Sequence, residues 1–200
     1  MREWTVYPAL ELPPILAVSL DQIVQHGYDA TSVRKIASEV GVTVPALYYH
    51  FENKQAILMA LLDHAMQIVT SHVDAALEEA GPDPVARLSG AVEAIVLYMA
   101  HHRDLAFLDS ERRSLTPPHL ERYVRHRDRI EGLLRDTITA GCRDGVFRTT
   151  NPTACGRAIL AMCQGVAGWF QPSGPQTPEE AAADYVRIAL AAVSVVEESA

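Results

Sequence analysis

With 200 residues, 48% of them hydrophobic and 21% charged, the chain is long enough to bury a real core and too apolar to be disordered over most of its length. A net charge of -8 and a pI near 5.4 exclude a protein that holds nucleic acid by bulk charge, so any such binding has to be local. No run of eighteen apolar residues occurs, so the sequence predicts no membrane span.

The opening MREWTVYPALELPP lacks the charged, apolar and small-residue order of a signal peptide, which predicts a cytoplasmic protein. From there the spacing of apolar residues is helical almost throughout, and the expected class is all-α with about nine helices. Pro13-Pro14 starts a first helix near 14 to 26, striped by Ile15, Leu16, Leu20 and Ile23 and ended by Gly27. In TSVRKIASEVG, Thr31 or Ser32 supplies a cap oxygen, Val33, Ile36, Ala37 and Val40 face inward, and Gly41 allows the stop. A short third helix follows over roughly Val44 to Tyr49, capped by Thr43, with Pro45 in its first turn.

Asn53 caps a long helix to about Glu79, and Asp83 or Pro84 begins another through Met99. A shorter helix is predicted for Asp104 to Ser114, then a long one from Thr116-Pro117-Pro118 to Arg143. Asp144-Gly145 turns, Asn151-Pro152 launches a helix to Phe170, and Thr177 caps a last helix running towards Glu197. The seam falls near Asn53, giving a three-helix unit at 1–52 and a helical bundle at 53–200.

Two short helices joined by a tight glycine turn, the second opening on small residues and closing on aromatics, is the layout that lays its second helix in a DNA major groove. Thr43, Val44 and Pro45 allow close approach to base edges, while Tyr49 and His50 offer donors to phosphate oxygens. Lys54 adds a charge at the next helix, and Arg34 and Lys35 rim the same surface. Leu47, Tyr48 and Phe51 are expected as core plugs. Residues 1 to 58 carry four cations against six carboxylates, a net of -2, so a few placed charges have to do what a basic surface does elsewhere.

The run TSVRKIASEVGVTVPALYYHFENKQAIL, preceded by ILAVSLDQIVQHGYDA, resembles the DNA-binding region of the tetracycline-repressor (TetR) family of bacterial regulators. The resemblance implies a homodimer that binds a double-stranded operator and carries a bundle for a small-molecule effector. It also assigns Ser32, Arg34, Thr43, Val44, Pro45, Tyr49, His50 and Lys54 to DNA. Where family members often carry Arg or Lys before the first helix, Leu12-Pro13-Pro14 stands here, leaving only Arg2 for a minor-groove arm.

In the bundle, Met66, Tyr98, Phe107, Met162 and Trp169 are candidates to line an apolar cavity. The stretch 111 to 129 holds six arginines against three acids, +3, and Arg122, Arg125 and Arg129 are its candidates for gripping phosphates. The tail GVAGWFQPSGPQTPEEAAADYVRIAL is similar to the end of TetR-type regulators of fatty-acid and steroid-ring breakdown, some of which sense acyl-CoA thioesters; an acyl-CoA-like effector is what that implies. Small residues such as Gly156, Ala161, Ala182 and Ala189 predict a dimer interface on the last two helices.

Eight histidines raise the alternative of an enzyme, or of a helical binding protein without DNA function. No HExxH, GxSxG, Walker or dinucleotide-glycine pattern occurs, so no catalytic residue is expected. Three cysteines without a CxxC spacing argue against a disulfide framework or a zinc cluster, and neither metal nor cofactor is expected.

Overall fold

The computed structural model describes residues 2–194, in which nine α-helices and no strand occur. They are α1 Pro14–His26, α2 Val33–Val40, α3 Val44–His50, α4 Lys54–Ala80, α5 Pro84–His101, α6 Arg103–Phe107, α7 Pro117–Arg143, α8 Pro152–Trp169 and α9 Pro178–Val193. The helix starts are written in capping chemistry. Ser32, Thr43, Asn151 and Thr177 each accept a backbone N–H three residues on, and Glu180 reaches back to Thr177 to close a capping box. Asn53 does the same for α4 through the N–H of Ala56 at 2.9 Å. The predicted end of the last helix at Glu197 lies outside the described residues.

The chain forms two compact units. One comprises Pro8–Gln67 and His102–His126, the other Met1–Tyr7, Ile68–His101 and Arg127–Ala200. The division does not fall at Asn53, because α4 and α7 each supply residues to both units. In the first unit Leu20, Ile23, Ile36, Leu47, Leu58, Leu61 and Leu105 are buried together with Leu108 and Tyr123. In the second, α5 packs on α8 and α9. Gly90 lets it approach α4 closely, a Cβ there lying 3.3 Å from that of Ala76.

Helix α4 is long and apolar enough by length and composition to cross a membrane, with a mean hydropathy of 1.3 over its best window. Half of that window is buried within the protein, and Ile57, Leu58, Leu61, Leu62, Val69 and Val73 are among its buried residues, the pattern of a core helix. Two local expectations change. The helix predicted over 104–114 divides into α6 and a 3-10 helix at Leu108–Ser114. Residues Glu3–Thr5, for which the sequence predicts no element, form a 3-10 turn with Trp4 buried.

Candidate nucleic-acid interface

Helices α2 and α3 meet at a turn that only glycine adopts without strain. Gly41 has φ 79° and ψ 28°, and the N–H of Val42 returns to the carbonyl of Ala37 at 2.9 Å. Leu47 is fully buried and pins α3, while Gln22 ties α1 to α2 by donating to both carboxylate oxygens of Glu39 at 3.1 and 2.9 Å.

With that one plug inward, the rest of α3 faces water. Thr43, Pro45 and His50 are exposed and Val44 is half-buried, and Tyr49 is 87% exposed. The Tyr49 ring stands edge-on to His50, centroids 5.5 Å apart. Ser32, Arg34 and Lys35 are exposed on α2 and its cap, with Lys35 Nζ 2.9 Å from His26 Nε2. Lys54 is half-buried, its ammonium 4.0 Å from the centroid of the Tyr28 ring. Burial lowers that ammonium's pKa from its ordinary value, while the charges of Asp29 and Glu111 work the other way.

Two expectations are corrected. Tyr48 is not a core plug: it is 47% exposed, because one step along a helix from the inward Leu47 rotates a side chain by about 100°. That places Tyr48, with exposed Val42, on the solvent side of the helix-turn-helix, and the rotation from Leu47 was the signal. Nor is Arg2 free for a minor-groove arm. Its guanidinium forms a two-pronged pair with Glu93, Nη1 to Oε2 at 3.0 Å, and lies over the Trp4 ring at 4.5 Å. Trp4 Nε1 donates to Glu79 at 2.7 Å, and the Tyr7 ring stacks between His72 and His101.

The effector candidates are divided between the units, Met66, Phe107, Arg122 and Arg125 in the first and Tyr98, Arg129, Met162 and Trp169 in the second. Met66 and Tyr98 are buried, Met162 is half-buried, and Phe107 and Trp169 are exposed. Trp169 has a local partner, its Nε1 donating to the Tyr185 hydroxyl at 3.0 Å across α8 and α9. The three arginines are also engaged: Arg122 with Asp63 at 2.7 Å, Arg125 with Glu121 at 3.0 Å and Arg129 with Asp74 at 2.6 Å. Burial raises the Asp63 carboxyl, opposed by Arg122, His126 and His119. Among the described residues no group of three or more His, Cys, Asp or Glu is arranged to hold a metal ion.

Residues 15–61 match the family model of the bacterial regulatory proteins of the tetR family, and residues 81–193 match that of the tetracyclin repressor-like C-terminal domain. The chain belongs to the tetracycline-repressor family. It is a ligand-responsive, DNA-binding transcriptional regulator and not an enzyme. The regulator PfmR of Thermus thermophilus is 32% identical and superposes with a TM-score of 0.81 over 88% of this chain and 97% of PfmR. The HTH-type transcriptional repressor KstR2 of Mycolicibacterium smegmatis is 24% identical over 190 residues, 94% of this chain and 92% of KstR2. The fold is also that of AibR, solved in complex with isovaleryl coenzyme A and operator DNA, at 24% identity and a TM-score of 0.79 over 87% of this regulator and 95% of AibR. The capped, outward-facing α3 thus lies inside the matched DNA-binding segment.

Proposed function

We propose that this regulator is a repressor that binds a near-palindromic operator as a homodimer and leaves it when an acyl-CoA-like effector occupies the carboxyl-terminal bundle. The observation that carries the reading is α3 itself: a helix capped by Thr43, pinned by one buried leucine, and presenting Tyr49 and His50 to solvent beside Arg34 and Lys35. Two copies of α3 about 34 to 36 Å apart would enter successive major grooves. Thr43, Val44 and Pro45 approach base edges; Ser32, Arg34, Lys35, Tyr49, His50 and Lys54 bind the phosphate backbone. The site of action is the cytoplasm, where the operator is.

The dimer is proposed to form through α8 and α9, whose outer surfaces expose Trp169 and Ile188 at 45% and 52%. For the effector, the naming of KstR2 as a repressor and of AibR as a complex with isovaleryl coenzyme A and operator DNA supports a thioester of coenzyme A. Its phosphates would replace Asp63 and Glu121 as partners of Arg122 and Arg125. Surface pairs of this kind contribute about 0–1 kcal/mol, so the exchange costs little. Release needs an effector that prefers the non-binding spacing by a few kcal/mol.

The test is fluorescence anisotropy on a duplex selected from a random library by the wild-type chain, with isovaleryl-CoA and longer acyl-CoAs titrated in. Affinity should fall steeply with salt, and an acyl-CoA should release the duplex. Arg122→Ala with Arg125→Ala should spare DNA binding and blunt release; unaltered release removes these arginines from the effector site. A chain that stays monomeric and selects no duplex refutes the reading as a whole.

A further inference from the structure

Lys54 occupies the first turn of α4, where the positive end of the helix dipole disfavours a cation. Its ammonium is nevertheless held there. The ring of Tyr28, buried in the loop between α1 and α2, lies 4.0 Å beneath it, and the carbonyl of Asp29 accepts from Nζ at 3.5 Å. The electron-rich ring face and the carbonyl offset the dipole, and the negative charges of Asp29 and Glu111 act in the same sense.

The ring is in turn fixed: Tyr28 is 6% exposed, held by the core around it. The residue after the lysine, Gln55, is fixed as well. The Gln55 amide is clamped at both ends, Nε2 donating to the carbonyl of Ser114 and Oε1 accepting from the N–H of Thr116 at 3.1 Å. All of these groups belong to the unit that contains α3.

From this arrangement we infer that Tyr28 is a positioning residue for DNA binding: its buried ring restrains the Lys54 ammonium so that it meets a backbone phosphate with little rotamer freedom left to lose. A free lysine gives up much of its conformational freedom when it pairs with a phosphate, and a pre-restrained one does not. The inference rests on Lys54 being a phosphate contact, as proposed above.

The test is a double-mutant cycle on the library-selected duplex, using the full chain and checking each variant's melting temperature. Lys54→Met should weaken binding and lower the salt slope by about 0.9 per protomer. Tyr28→Leu should weaken binding about three- to fivefold per protomer when Lys54 is present, and not at all in the Lys54→Met background. Tyr28→Phe, which keeps the ring face, should retain wild-type affinity. If Lys54→Met leaves the slope unchanged, the phosphate contact itself is wrong. If the slope falls but Tyr28→Leu costs the same in both backgrounds, Tyr28 is merely structural and the inference is overturned. Should Tyr28→Leu fail to fold, NMR of the wild type decides: the Lys54 ε-methylene protons should carry an upfield ring-current shift both free and on the duplex, and its absence in the complex overturns the inference.

Discussion

Replacing Tyr49 by phenylalanine isolates one hydroxyl. Tyr49 is 87% exposed and its ring stands nearly perpendicular to that of His50, so the oxygen lies outside the core and the variant should melt with the wild type. On the duplex, a hydrogen bond to a charged oxygen contributes about 1.5–3 kcal/mol. Taking the lower end for a solvent-exposed site and counting both protomers gives about 3 kcal/mol, or about a hundredfold in Kd. The hydroxyl is neutral, so the loss should come with an unchanged salt slope, whereas Arg34→Ala should lower the slope by about 0.9 per protomer. Anisotropy titrations at several salt concentrations measure both quantities. A change in Kd below about threefold, less than 1 kcal/mol for the pair of sites, would refute the assignment of Tyr49 to the phosphate backbone.

Two further outcomes concern the second unit. A Cβ at Gly141 would sit 2.5 Å from Phe147 Cε2 and closer still to Cδ2, with Phe147 buried; Gly141→Ala should therefore cost about 1–3 kcal/mol, a fall of roughly 2–12 °C in melting temperature, and Phe147→Leu in the same chain should restore part of it. His101 responds to pH: burial lowers its pKa from 6.5, with Glu179 opposing, and it faces Tyr7, itself stacked on His72. Because the folded value is depressed, its contribution to stability is present above pH 6.5 and is lost as pH falls from there through the folded value. Urea midpoints across pH 5 to 8 should drop less steeply on acidification for His101→Phe than for the wild type, and parallel curves would dismiss the effect.

Helix boundaries were legible because their determinants are local. Ser32, Thr43, Asn53, Asn151 and Thr177 cap within three residues of their own positions, and a positive φ at Gly27, Gly41, Gly81 and Gly145 marks turns that the glycines announced. The split of 104–114 into α6 and a 3-10 helix was not legible, since the choice between i+3 and i+4 bonding depends on tertiary contacts such as the Gln55 clamp on Ser114 and Thr116. Arg2 and Trp4 were invisible for the same reason: their partners, Glu93 and Glu79, lie 91 and 75 residues away. Tyr48 was misread although a purely local rule places it, because aromatic residues are core residues more often than not and that expectation outweighed the rotation from Leu47.

The same distinction resolves how a chain of net charge -8 addresses an anionic polymer. Counting residues gives a basic stretch at 111–129 and a mildly acidic headpiece, which would send DNA to the wrong stretch of the chain. Pairing reverses the order. Arg122, Arg125 and Arg129 each hold a carboxylate, so the potential they project is that of ion pairs and decays over short distances. Near α3, Glu39 accepts from Gln22 and Asp21 from Gln25, so these two carboxylates keep their charge but are held by neutral amides rather than by a cation. Arg34 and Lys35 remain exposed at the start of α2, and Lys54 is held at the head of α4 on an aromatic ring rather than a carboxylate. A cation that already holds a carboxylate has to exchange it before it neutralises a phosphate, and an unpaired one does not. At the proposed interface, the cations offered to DNA are therefore ones the fold leaves without a carboxylate partner, a property of tertiary structure that composition does not reveal.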